Sequence, residues 1–293
     1  MNNKEPMRVC AIHDLSSFGR CALTVVIPTL SALGIQTVPL PTALMSTHTG
    51  GYTNIHIRSL TEDMTAMAEH WRSLSVSFDA IYSGFILDET QGKVISDVID
   101  GLSSDNTFIL VDPVMGDDGE LYSTCTHEMA DIMRELSKKA DLITPNLTEA
   151  CLLCSVPYPD GLPFDADGAK RFSSSLLDPL LELAPKAAIT GIPYVDGGVE
   201  HVMNACAERG GEHAYFTQVK VGAAYPGTGE LFASVLLGLM LGGSSLLDAV
   251  EYAGGFVSDT IKVSEGRVSE RRFGCALEPS LMKLSHDIYE SNE

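Results

Sequence analysis

The feature that most constrains this chain is a repeated alternation of short apolar, β-rich runs with longer amphipathic ones. Residues 8–12, 35–40, 80–83, 107–112, 141–144 and 187–190 read as strands. Residues 21–33, 61–75, 89–102, 126–139 and 167–183 read as the helices between them. Pro28 falls inside the first helix and is expected to kink or shift it. Continuous apolar strands joined by crossover-length helices predict an α/β fold with a mostly parallel central sheet covered on both faces. After Thr190 the pattern changes. Residues 194–204 and 212–221 read as hairpin material turning at Asp196-Gly197-Gly198 and Arg209-Gly210-Gly211, and helices follow over 228–241 and 245–263. No linker rich in Pro, Gly and Ser interrupts the pattern, so residues 1–293 are read as one domain.

Charge narrows the partners. The chain carries 19 basic and 39 acidic side chains, a net charge of −20, which argues against a nucleic-acid ligand. A small phosphorylated ligand stays open, because a bound cation can offset local charge. The polar residues 1–7, and an apolar run from Val9 broken at His13 and Asp14, do not resemble a targeting signal. The most apolar stretch, 231–241, is too short to span a bilayer, so a cytoplasmic protein without a membrane partner is expected. Seven scattered cysteines do not form a secreted disulfide framework. Cys151 and Cys154 have metal-pair spacing, but they lie in an apolar helical run with no second pair and read as buried small hydrophobes.

In open parallel sheets, ligands bind beyond the carboxyl ends of the strands. That rule turns His13-Asp14, Gly84-Phe85, Asp112-Pro113, Thr144-Pro145-Asn146 and Thr190-Gly191 toward one site. Pro226-Gly227-Thr228-Gly229-Glu230 opens an apolar helix. Its glycines let backbone N–H groups approach an anion, beside a first-turn carboxylate able to act as a base. A plain glycine turn with a capping Glu would read the same. The run from Asp112 to Gly119 suits Mg²⁺ held through water against phosphate oxygens, although an ordinary Asp-rich turn has the same composition. Asn146 and Glu149 share one face of a new helical turn at capping-box spacing, which is compatible with metal binding as well. The segments 14–20 and 47–51 supply polar loops, and His48 alone reads as a structural histidine. Walker A and G-x-S-x-G sequences are absent, Phe232 spoils a G-x-G-x-x-G, and 127–131 narrowly misses H-E-x-x-H.

Taken together, Ala11-Ile-His-Asp-Leu-Ser-Ser-Phe-Gly19, Pro39 to Thr49, Asp112-Pro-Val-Met-Gly-Asp117, Thr144-Pro-Asn-Leu-Thr-Glu149 and Gly227-Thr-Gly229 follow a family order. The chain resembles the ribokinase superfamily, in particular kinases of the pyridoxal/pyridoxamine type. The resemblance implies a three-layer αβα fold and transfer of the ATP γ-phosphoryl to the 5′-hydroxymethyl of a B6 vitamer. It implies that Gly227, Thr228 and Gly229 form an anion hole and that Glu230 is the base. Asp112, Asp117 and Glu149 would organise Mg²⁺ and the phosphates, with Asp112 and Glu149 nearest the metal. Thr144 and Thr190 would lie along the nucleotide. Asp14, Thr49, Phe85 and Tyr122 would line the substrate. The stretch 219–225 and the last two helices would serve the adenine. A homodimer is implied too, with a monovalent cation such as K⁺ as a candidate second cofactor.

Two residues depart from the family pattern. Glu230 stands where the family carries Asp, and the extra methylene displaces a carboxylate by roughly 1.5 Å, an error that can cost about a hundredfold in rate. Asp14 stands where B6 kinases often carry Ser, which bears on vitamer preference. A hydroxymethylpyrimidine kinase of the same fold, and a B6-binding protein without catalysis, are the alternatives.

Overall fold

The computed structural model describes residues 5–222 and 224–290. The chain opens with β1 (Arg8–Ile12), β2 (Leu15–Phe18), α1 (Leu23–Ala32), β3 (Gln36–Pro39), β4 (Ala43–Thr47), β5 (Ile57–Ser59) and α2 (Thr61–Ser73). It continues through β6 (Ala80–Ser83), α3 (Glu89–Leu102), β7 (Phe108–Val111), β8 (Gly116–Asp117), β9 (Glu120–Leu121), α4 (His127–Ser137), β10 (Leu142–Ile143) and α5 (Leu147–Cys154). Then come β11 (Phe164–Asp165), α6 (Ala166–Leu183), β12 (Lys186–Asp196), β13 (Val199–Glu208), β14 (Ala214–Val219), α7 (Thr228–Leu241), α8 (Leu246–Ser264) and α9 (Leu277–Glu290).

The main sheet is nine-stranded in the order β14-β13-β12-β10-β7-β6-β1-β3, with β11 beside β12. From β3 to β12 every pairing is parallel, and β13 and β14 add an antiparallel edge. Alternation along β1 explains the layers. Cys10 and Ile12 face a core built with α2 to α6, whereas Val9 and Ala11 face one built with α1, α7, α8 and α9. The result is the αβα sandwich that the apolar strand pattern predicts.

Two local outcomes differ from the sequence reading. The helix α1 runs unbroken through Pro28 from Leu23 to Ala32. An interior proline costs about 3 kcal/mol, and burial of Val25, Val26, Thr29 and Leu30 on the same helix offsets it. The run 187–190 and the following hairpin strand form one strand, β12, whose pairing with β13 shifts register between Ile189 and Ile192. Gly191, at φ 74°, is the residue that lets the backbone make that bulge.

Residues 15–18 of the segment 14–20, read as a loop, form β2 of a three-stranded sheet, β2-β4-β5, above the carboxyl edge of the main one, whereas 48–51 is a loop as expected, following the last β4 residue Thr47. There β2 and β4 pair in parallel, repeating the parallel pairing of β1 and β3 in the main sheet. Leu40 N–H to Ala11 O and Thr42 N–H to His13 O stitch the two paths together between the sheets. Among the described residues no helix is long and apolar enough to cross a membrane, and all seven cysteines are free.

Candidate active site

The site begins at α7. Gly227 caps that helix at φ 86°, and a Cβ there would meet Arg20 O at 2.4 Å, so only glycine fits both the backbone angle and the space. Leu231 N–H bonds Gly227 O as the first rung of the helix, so the N–H groups of residues 228–230 lie ahead of the helix's own ladder. Above Gly229 a Cβ would meet nothing within 4 Å, so the approach to those donors is open. Thr228 donates its hydroxyl to Tyr225 O at 3.0 Å and thereby closes the turn.

Glu230 reaches away from its own helix to the start of α1. Its Oε1 accepts the Ala22 N–H at 3.1 Å and the Cys21 Sγ–H at 3.3 Å. Burial, together with Glu230 and Asp14, holds the Cys21 thiol well above its ordinary pKa, so it is a protonated donor. Ala22 sits at φ 51°, ψ −130°, a strained angle for a residue with a Cβ.

A second cluster ties the ends of β7, β10 and β12 together. Thr144 donates its hydroxyl to Asp112 Oδ1 at 3.2 Å. Glu149 accepts Met115 N–H through Oε1 and Asn146 N–H through Oε2, while Asn146 accepts Glu149 N–H in return. That is a complete capping box with a further arm clamped onto the 112–117 loop. Thr190 donates its N–H to Pro145 O at 2.9 Å and pairs with Asn146, so of the expected nucleotide residues Thr190 lies on the neighbouring strand two positions beyond Thr144.

Electrostatics join the two clusters. Asp112 is buried, and desolvation plus the Glu230 charge drive its pKa well above the usual carboxylate range. Glu149 moves the same way through burial and Asp112. Asp14 is raised to about 6 by burial and Glu230, against the Ser16 hydroxyl that donates to its Oδ2 at 2.7 Å. Burial, Glu149, Asp117 and Glu230 push up the half-buried Tyr122, which places it among those carboxylates. Asp117 lies on the β8–β9 hairpin, where partial desolvation of its carboxyl and the charge of Asp118 raise its pKa.

On the substrate side, Phe85 packs with Ala43 and Met45 of the small sheet and with Val114. Thr49 follows β4, beside His48. The ring of His48 accepts Gly50 N–H on Nδ1 and therefore donates from Nε2 to Arg272 O at 2.7 Å. The structural reading of His48 thus describes a brace for the loop that carries Thr49.

Three participants gave no sequence signal of their own: Cys21, Ala22 and Tyr82. Tyr82 is buried on β6 edge-on to His13, with its hydroxyl under the influence of Asp112 and Glu230. In the expected adenine stretch, Ala223 lies outside the described residues.

Among the described residues the charged groups that shift Asp112 and Glu149 are acidic: Glu230 on the first, Asp112 and Asp117 on the second. An oxygen-only, net-negative donor set fits Mg²⁺, which takes few carboxylates directly and keeps its waters. Among the described residues no three His, Cys, Asp or Glu converge into a protein-only metal cage.

A parallel αβα sheet with a glycine helix start and acidic residues at its carboxyl edge defines the ribokinase-like kinases, phosphotransferases acting on alcohol groups. The chain belongs to the phosphomethylpyrimidine kinase family, whose model matches residues 26–272. A candidate phosphomethylpyrimidine kinase from Bacteroides thetaiotaomicron, crystallised with pyridoxal, is 36% identical at TM-score 0.88, over 95% of this chain and 96% of its own. The pyridoxal kinase of Lactobacillus plantarum is 26% identical at TM-score 0.84, over 98% of each chain. Pyridoxal kinase PdxY of Pseudomonas aeruginosa is 26% identical over 86% of each chain. Against a candidate pyridoxal kinase of Schizosaccharomyces pombe, at 24% identity, this chain spans 65% of the relative's length.

Proposed function

We propose that this protein transfers the γ-phosphoryl of ATP to the 5′-hydroxymethyl of a B6 vitamer. The observation that carries the reading is a first-turn carboxylate, Glu230, on the glycine-capped start of α7, close enough to the strand-end Asp112 to raise its pKa. Family membership and the pyridoxal-bound relative support the choice of substrate.

Glu230 takes the proton of the substrate hydroxyl as its oxygen attacks the γ-phosphorus, and ADP departs. The N–H groups of residues 228–230 receive the equatorial oxygens, aided by the helix dipole. Asp112 and Glu149, with Asp117 beyond them, would hold Mg²⁺, which would supply charge neutralisation for the phosphates. Thr144 and Thr190 flank the nucleotide. Asp14, Thr49, Phe85 and Tyr122 enclose the vitamer. A homodimer and a cytoplasmic location accompany this reading.

The family's description favours a second substrate, a hydroxymethylpyrimidine, and the buried carboxyl of Asp14 suits either ring nitrogen. ATP consumption with Mg²⁺ against pyridoxal, pyridoxamine, pyridoxine and hydroxymethylpyrimidine separates the two. Turnover on a vitamer that collapses in Glu230→Gln supports the reading. Tight vitamer binding without turnover on any of the four overturns it and leaves a binding protein.

A further inference from the structure

The contact between Glu230 and the α1 start answers why this chain tolerates Glu where the resemblance leads one to expect Asp. Glu230 Oε1 is held by two donors from the same tight segment, Ala22 N–H and Cys21 Sγ–H. That segment is itself immobilised. Cys21 N–H donates to Thr24 Oγ1 at 3.0 Å, and Thr24 returns its hydroxyl to Cys21 O at 2.7 Å. Arg20 N–H bonds Phe273 O, and the Arg20 carbonyl lies against Gly227 and Gly274, where a Cβ on either would meet it at 2.4 Å. The starts of α1 and α7 are therefore keyed into one another at the base.

We infer that Cys21 is a positioning residue for Glu230: its thiol and the Ala22 N–H use the extra methylene to anchor Oε1, which leaves Oε2 for the substrate hydroxyl. The inference rests on the proposed role of Glu230 as base and adds the residue that aims it. A protonated thiol suits this task, because it donates to a carboxylate without adding charge beside Asp14 and Asp112. The groups that Glu230 acts on are otherwise acidic or phenolic: Asp14, Asp112, Tyr82 and Tyr122. Loss of the thiol donor is thus a loss that none of these groups replaces.

The test compares full-length wild type, Cys21→Ala, Cys21→Ser, Glu230→Asp and Cys21→Ala/Glu230→Asp, with Glu230→Gln as reference, by steady-state kinetics and by thermal melting. Cys21→Ala is expected to lower kcat about tenfold at little change in vitamer KM. Cys21→Ser, which keeps a donor at that position, restores most of kcat. In the Glu230→Asp background Cys21→Ala has no further effect, since the shorter side chain no longer reaches the thiol. Wild-type kcat in Cys21→Ala, with Glu230→Gln inactive, overturns the positioning role and leaves the base standing. Full activity in Glu230→Gln overturns both. If Cys21→Ala melts too low to assay, Cys21→Ser decides: the role falls if its kcat is as low as that of Glu230→Gln.

Discussion

Glu149 joins two strand ends with one carboxylate: Oε1 accepts Met115 N–H at 3.1 Å and Oε2 accepts Asn146 N–H at 2.8 Å. A residue nominated for the metal is therefore also the clamp that holds the 112–117 loop against α5. Glu149→Ala strands two buried donors and breaks the capping box, and is expected to cost about 2–4 kcal/mol. Glu149→Gln keeps one acceptor and should cost about half as much. Urea denaturation of the two variants checks this, and equal, negligible losses would contradict it.

Asp14 makes the metal-free protein more stable in mild acid. Its native pKa of about 6 exceeds the ordinary 3.8, so the folded chain keeps a proton that the unfolded chain releases between those values. The contribution is full below pH 4 and is lost as pH rises through 6. Asp112 shifts in the same direction and extends the loss upward. For Asp14 alone the effect is on the order of 2–3 kcal/mol. Melting in EDTA from pH 4.5 to 8.5 should show a decline that Asp14→Asn flattens in its lower half. A flat wild-type curve would refute it.

Gly227→Ala places a Cβ 2.4 Å from Arg20 O at φ 86°. The left-handed angle alone costs about 1–2 kcal/mol, and the clash displaces the anion hole. A loss of about a hundredfold in kcat is expected, as for the removal of one oxyanion donor. Near-normal turnover would show that the α7 start does not touch the transferring group.

His48→Ala removes the two bonds of the His48 ring that brace the 48–52 loop and leaves Arg272 on Gly51 and Tyr52. The vitamer KM should rise about three- to tenfold, the equivalent of about 1 kcal/mol, with melting temperature and ATP KM nearly unchanged. An effect on ATP KM alone would detach this loop from the substrate.

The apolar runs of β1, β6, β7 and β10 were legible because both faces of those strands are buried, and no polar alternation competes with that signal. The Asn146–Glu149 box was legible because both partners lie within one helical turn. The small sheet was not. Leu15-Ser-Ser-Phe18 is short and half polar, and it becomes a strand through pairing with Ala43–Thr47, a long-range contact that local propensity does not encode. Cys21 was hidden for the same reason, since its partner Glu230 lies 209 residues away. The β12 bulge, by contrast, has a visible cue in Gly191, although a glycine after an apolar run reads equally as a strand end.

The small sheet hangs from the main one by two adjacent parallel paths, β1 into β2 and β3 into β4, cross-linked between Ala11 and Thr42. A single tether would leave the small sheet free to swivel about the chain. The doubled one fixes its orientation over the carboxyl edge, and Thr42 locks it further by donating its hydroxyl to Phe85 O at 3.2 Å. The sheet that leads into Thr49 and packs on Phe85 is therefore held in register with the strand ends below it.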